Sequence, residues 1–507
     1  MSEPQEPDRR AFTSRTPANE NPDGVAYRRG FVTRHQVSGW RFVMRRIASG
    51  VALHDTRMLV DPLRTQTRAV LVGALVLITG LAGCFLFSLI RPSGVAGNDA
   101  VLADRSTAAL YVKVGEELHP VLNLTSARLI IGRPDNPTTV KSPELDKFGR
   151  GNLLGIPGAP ERMVQNTSRD ADWTVCDGLS GAGSGLTVIA GRLADGGERA
   201  AELPQETAVL AENDGRTWLL WQGKRSPVDL NDRAVTDALG FGADTATPRP
   251  IATGLFNTVP ESPALTPPPI PGAGEPPRFA LPVPAPVGAV VVSFDTDNTM
   301  RHFAVLPDGL QPVPPVLAEI MRNTNSYGLD QPPRLGADEV SRMPVADVVD
   351  TSVYPSDPVT LVDAAGAPIT CARWAKPDGA SVSALTLLSG AALPVESSTH
   401  TIDLVGSGTR VVLPPGNGYL VQVVGQEPGS PTAGSQFWVS DTGVRYGIDT
   451  AGNNKTVEAL GLTAPPLPIP WSVLSLYAAG PTLSRDNALT AHDAIQPDAA
   501  AQAGETR

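Results

Sequence analysis

Residues Ala69 to Ile90 read AVLVGALVLITGLAGCFLFSLI, 22 residues without a charge, with Arg68 and Arg91 at the two ends. A helix rises 1.5 Å per residue, so the run spans roughly 33 Å, enough to cross a bilayer core of about 30 Å. Inside that core every backbone N–H and C=O needs a partner, and a helix supplies all of them internally. A buried core helix is the competing reading, but such helices are shorter and two-toned. The stretch therefore predicts one transmembrane helix over 69–90. It holds no acid, base or histidine, so it offers no ion or proton path. Gly73, Gly80 and Gly83 are small enough to admit close approach by partner helices.

The flanks set the orientation. Residues 1–68 carry twelve Arg against seven acids, whereas residues 91–507 carry 29 basic and 45 acidic residues. Arg57, Arg64 and Arg68 crowd the approach to the span, and the positive-inside bias predicts a cytoplasmic N-terminus. A cleaved signal peptide is not expected: the apolar run is too long, begins too far into the chain and lacks a clear A-x-A site. The outside portion, about 417 residues, is long enough for two or more core-bearing domains. With 49 Gly and 49 Pro it should be built from turns and short elements. Charged residues make up only 18%, and no long basic run follows the span, so nucleic acid is not an expected partner.

On the inside, residues 1–30 are polar and Pro-rich and are expected to be disordered. Thr33 and Gln36 have the spacing of a capping box, with Val32 and Val37 placed for a hydrophobic staple. Val37, Trp40, Met44, Ile47 and Val51 recur at steps of three and four and form one apolar stripe. Arg34, Arg41 and Arg45 fall on another side. This helix has three readings: docking onto a partner's cytoplasmic domain, which is favoured; lying on the anionic inner leaflet; or serving only as an Arg-rich topology anchor.

Several stretches have a familiar form. Thr33-Arg-His-Gln-Val-Ser-Gly-Trp-Arg-Phe, Arg45-Arg46 and Asp61-Pro62-Leu63-Arg64 ahead of one span, followed by Gly155-Ile-Pro-Gly-Ala-Pro-Glu161 and Trp173-Thr-Val-Cys176, resemble EccB. EccB is a membrane component of mycobacterial type VII (ESX) secretion systems. The resemblance runs from about residue 27 to 485, and HQVSGWRFVMRRIA and LHDTRMLVDPLR look most like the third ESX system, which is associated with iron and zinc acquisition. It implies EccC (the motor ATPase), EccD and EccE as partners in the inner membrane, dimerisation in the periplasm, and repeat domains around a central β core.

A short pattern of strand, Gly turn, strand and helix occurs four times outside. The copies run Leu110–Gly132, Trp218–Gly240, Phe303–Ile320 and Phe437–Gly461, with turn glycines at 115, 223, 309 and 443. Turn and helix-cap glycines lie 17, 17 and 18 residues apart in copies one, two and four, and both places favour positive φ. Asn123, Asn231 and Asn453 or Asn454 stand where N-caps belong. The alternative is chance similarity of generic hairpins. Pro260 to Pro286 holds eleven prolines in 27 residues, an extended spacer or a strap. It predicts two similar halves, each with one outside cysteine, Cys176 and Cys371. Two thiols in an oxidising compartment usually pair; two buried free thiols are the alternative.

The organisation expected is thus a single-pass membrane protein with a large, elongated, quasi-two-fold α+β periplasmic domain. Its parts are a disordered tail (1–30), a cytoplasmic arm (31–68), a span (69–90), half one (91–257), a Pro-rich linker (258–288), half two (289–485) and a disordered tail (486–507).

Signs of chemistry are sparse. The Gly223-Lys224 pair lacks the Ser/Thr and the first Gly of a P-loop, and reads as a hairpin turn. ATP is thus suggested only by the family's frequent ATPase label. Gly178-Leu-Ser180-Gly-Ala182 fails as a nucleophile elbow at its last position. The six His are scattered, without metal-ligand spacing. Asp295/Asp297 and Asp347/Asp350 read as turn residues, so no catalytic, cofactor or metal residue is assigned. Two functions remain: a structural subunit of a secretion machine, assembling with copies of itself and contacting the bilayer and the cell wall; or a periplasmic hydrolase of ATP or envelope polymers.

Overall fold

A computed structural model describes residues 32–54, 62–90, 94–242, 247–405, 409–451 and 455–492. The expected N-terminal tail and the caps at Asn453 or Asn454 lie outside the described residues. Residues up to 93 and residues from 94 onward form two separate compact units.

The first unit contributes two helices. Arg34–Leu53 starts behind Thr33, whose N–H donates to the Gln36 side chain at 2.9 Å. The expected capping box between Thr33 and Gln36 is present. The second helix runs Pro62–Ile90, beginning before the expected 69. Pro suits a first helical turn, where its missing N–H would have had no partner. Gln66–Phe87 is long and apolar enough to cross a membrane, and none of it is buried within the chain.

Four blocks in the second unit share one plan. Block one is an antiparallel meander of Val101–Asp104, Leu110–Val114 and Glu117–Val121. Helix Leu124–Ile131 follows, and Thr138–Val140 then returns parallel to the first strand. Block two repeats this with Thr207–Asn213, Arg216–Trp221, Lys224–Pro227, helix Arg233–Leu239 and Arg249–Pro250. Block three uses Val290–Phe294, Met300–Leu306, Gly309–Val313, helix Pro315–Thr324 and Arg334–Leu335. Block four uses Tyr419–Val424, Gln436–Val439, Val444–Gly447, helix Lys455–Leu460 and Leu467–Pro470. Each block is larger than the pattern legible in sequence, with one strand before it and one after. A lone hairpin and helix cannot cover their own apolar faces, and the added strands supply that cover.

Local signals mostly land where expected. Asn123 caps its helix, accepting from Ser126 N–H at 2.8 Å. In block two the cap is Asp232 and not Asn231, whose N–H and amide are taken by Asp229. At Gly223 the φ is +75° and an added Cβ would meet the Leu385 carbonyl at 2.3 Å. Gly309 has no positive φ; an added Cβ there would lie 2.5 Å from the Pro344 carbonyl, so close approach is what requires glycine.

A seven-stranded sheet joins the blocks, in the order Ile402–Asp403, Thr409–Val412, Gly185–Ala190, Ala171–Gly178, Ile369–Lys376, Ala384–Gly390, Ala201–Glu202. Its middle pair takes one strand from each side of the Pro-rich stretch. Blocks two and four pack on this sheet through Trp218, Leu220, Tyr419, Val421 and Ile469 against Trp173 and Trp374. Blocks two and three share a second core around Trp221, Leu239 and Leu317, and blocks one and four a third around Leu129, Trp438 and Leu460.

The expected separation into halves 91–257 and 289–485 is therefore corrected: all three of these cores draw on both. The Pro-rich stretch is a strap rather than a spacer. Arg225 N–H donates to Pro260 O (2.9 Å), Leu265 N–H to Pro227 O (3.0 Å), and Leu265 is buried. Tail disorder from 486 is also corrected. Helix Arg485–Ala488 and the residues to His492 lie on block one, with a bridge from Ala491 to Leu154 and His492 Nε2 at 2.8 Å from Gly155 O.

Candidate functional site: the disulfide core and the membrane arm

Cys176 and Cys371 sit opposite each other in the antiparallel register of strands Ala171–Gly178 and Ile369–Lys376. They form a disulfide, with Cα atoms 4.0 Å apart and both residues fully buried. Side chains alternate along a strand, so the bridge faces one side and its neighbours the other. On the bridge side lie Ile189, Leu193, Leu388 and Val412. On the opposite side Trp173 stands across from Trp374, donates Nε1–H to Pro468 O at 2.8 Å, and meets Tyr419 edge-on at 5.3 Å. Burial pushes the Tyr419 hydroxyl up to about 12, which keeps it a neutral phenol near pH 7.

A buried arginine completes this core. Arg249, 4% exposed, donates to Thr370 Oγ1 at 2.5 Å, to Pro368 O at 3.2 Å and to Asp177 O at 3.3 Å. The Asp177 carboxylate accepts the Ala252 N–H at 2.9 Å. Burial pulls the guanidinium below its ordinary value and the nearby Asp177 charge opposes that shift. An arginine stays charged in a protein, so these oxygens are what make its burial tolerable. Sequence reading missed it, since Arg249 follows no motif and its acceptors lie far away in the chain.

The sequence's chemical candidates have other employment. Lys224 lies 4.0 Å above the Trp221 ring and donates to Ser352 O at 2.6 Å, holding block two to residues 350–354. Ser180 leads into a turn of 3-10 helix at Gly181–Gly183 without a side-chain cap bond. Asp350 accepts from Ser352 N–H and hydroxyl, and Asp297 from Thr299 N–H. These hydrogen bonds hold both carboxyls below the usual range. Asp295 pairs with Arg301, and Asp347 lies near the Gln311 amide. Among the described residues no three His, Cys, Asp or Glu side chains gather as a metal site.

The Gly155–Glu161 motif forms a collar around the start of helix Leu124–Ile131. Ile156 N–H donates to Ser126 Oγ, Asn123 Nδ2 to Ile156 O, Thr125 Oγ1 to Pro160 O, and Leu124 N–H to Glu161.

In the membrane unit, Trp40 (65%), Met44, Ile47 and Val51 are exposed and Val37 is half-buried. Arg41 and Arg45 are exposed on the same helix. A Cβ added at Gly73, Gly80 or Gly83 would meet no atom within 4 Å, so nothing among the described residues covers that face.

One helix long and apolar enough to cross a membrane, in a chain whose second unit is built of meander blocks, defines the class of protein. The chain belongs to the EccB family of type VII secretion: the family described as "Type VII secretion system ESX-1, transport TM domain B" matches residues 29–497. It is 69% identical to the "ESX-3 secretion system ATPase EccB3" of Mycolicibacterium smegmatis, covering 98% of each chain. The Mycobacterium tuberculosis protein of the same description is 66% identical, over 97% of this chain and 95% of that one. Among solved structures it is similar to the chain of "Structure of EccB3 dimer from the ESX-3 core complex", with TM-score 0.70, 62% identity and coverage of 78% of this chain and 100% of that one. It is similar also to a chain of "Structure of an intact ESX-5 inner membrane complex", with TM-score 0.72, 36% identity and coverage of 94% and 98%.

Proposed function

We propose that this chain is a structural and assembly subunit of an ESX-3 type VII secretion complex in the inner membrane. The observation that carries the reading is the 62% identity to the EccB3 chain, all of which is covered. Helix 62–90 crosses the membrane once, with the arm cytoplasmic and residues 94–492 periplasmic. The four blocks are repeats of one ancestral unit, since they share strand order, helix position and parallel return. EccC, EccD and EccE are the partners, reached through the arm stripe and the Gly73/Gly80/Gly83 face. The periplasmic unit associates with a second copy and approaches the cell wall. Protein export through this complex serves siderophore-mediated iron acquisition.

A second reading, intrinsic ATP hydrolysis, is favoured by the description of the relatives as ATPases. The purified full-length chain, assayed with Mg-ATP beside an unfolded control, separates the two. The structural reading expects no turnover above the control. Robust turnover abolished by a point substitution would overturn it.

A further inference from the structure

Two strands from opposite sides of the Pro-rich strap must meet in one register before Cys176 and Cys371 can bond. Asp177 pairs with Thr370 one rung from that cysteine pair, on the other face of the sheet. The Arg249 guanidinium reaches that rung and takes acceptors from both sides, Thr370 Oγ1 and Asp177 O, together with Pro368 O. We propose that Arg249 is a register staple, which aligns the two strands so that the two thiols face each other for oxidation.

The argument rests on what the alternatives would leave unpaired. A slip of one residue turns Thr370 to the bridge side and brings an apolar or thiol side chain toward the guanidinium. A slip of two keeps the faces but displaces one cysteine by roughly 7 Å along its strand, beyond disulfide reach. Both take Thr370 Oγ1 and Pro368 O away from a buried cation, which is strongly unfavourable. Arg249 arrives on the last strand of block two, after that block has folded back parallel to its first strand. Block two thus contributes a residue to a junction made by other parts of the chain. Block four does the same at the far end of the strand pair, where Pro468 O accepts the Trp173 Nε1–H.

The oxidation is a thiol–disulfide exchange. One cysteine thiolate attacks an exchangeable disulfide and releases a thiol. The second thiolate then displaces the mixed disulfide and releases another. Two electrons pass from the cysteine pair to the oxidant, and the cysteine protons leave with the released thiols. Alignment raises the effective concentration of the second thiolate, and that quantity is measurable. By reciprocity the staple favours the bridge by as much as the bridge favours the staple.

The test uses the full chain in detergent, carrying Cys84→Ser so that only this pair reports, equilibrated in glutathione and glutathione disulfide. Arg249→Met should lower the effective concentration about tenfold, the scale of one hydrogen bond to a charged group. Arg225→Met is the control: Arg225 is half-buried, and bonds Phe256 O, Val259 O and Glu261, none of which lies on the two cysteine strands. It should leave the effective concentration unchanged even where it lowers Tm. Equal falls in both variants, or no fall in Arg249→Met, would overturn the proposal. If Arg249→Met does not fold, Thr370→Val decides, because it keeps volume and removes one acceptor. A fall of a few-fold supports the staple and no change refutes it.

Discussion

Leu71 in helix 62–90 is 69% exposed, while Leu219 and Leu220 in block two are wholly buried. The same side chain, worth about 2 kcal/mol when taken out of water, is covered by the chain itself in one unit and by nothing among the described residues in the other. The second unit closes its own cores by pairing blocks two with three and one with four. The membrane unit cannot. Its stripe and its apolar helix are exposed among the described residues, so the two units should fail in different ways when altered.

The sharpest break is the double substitution Trp40→Asp with Met44→Asp. It should abolish co-purification of the proposed inner-membrane partners while leaving the Tm of the second unit unchanged; intact co-purification would return the arm to a topology anchor. Next in size, Cys176→Ser with Cys371→Ser should act only on the second unit. A loop of ~100 residues is worth about 4.7 kcal/mol, and a longer one slightly more, an upper figure because residual structure intervenes. Guanidinium unfolding should show the loss in buffer and no difference once wild type is reduced.

Smaller still, Asn123→Ala removes a buried cap that also bonds Ser126 Oγ and Ile156 O. The cost should be about 2 kcal/mol, above an ordinary cap, and hydrogen exchange should rise at 124–131 and 155–161 together. Faster exchange at 124–131 alone would separate the collar from the cap. Last, Lys224→Met should cost about 1 kcal/mol, since it loses one ring contact and one carbonyl bond. It should leave complex assembly untouched, because its partners Trp221 and Ser352 both lie in the second unit.

How legible each feature was follows from its range. Asn123, Gly223 and the Ala69–Ile90 run obey rules spanning a few residues or one helix, and each was readable. Asn231 missed by one position because Asp229, Asn231 and Asp232 compete for the same turn, and side-chain geometry chooses among them. Gly309 was readable as glycine but not for its reason, the carbonyl of Pro344 that approaches it. The Gly155–Glu161 stretch resembled a family signature, yet its role as a collar on the Asn123 cap appears only when both are folded. Arg249 carried no sequence signal at all.

Sequence alone determined the apolar helix, its bracketing arginines, the arm stripe, four strand-turn-strand cores and two cysteines able to pair. All of these are set by composition or by periodicities of two and 3.6, which the chain states locally. Tertiary structure decided which blocks share a core, that the prolines form a strap, and which strands bring Cys176 to Cys371. Those choices depend on apolar faces and buried charges finding partners tens to hundreds of residues away, and no local pattern specifies the partner.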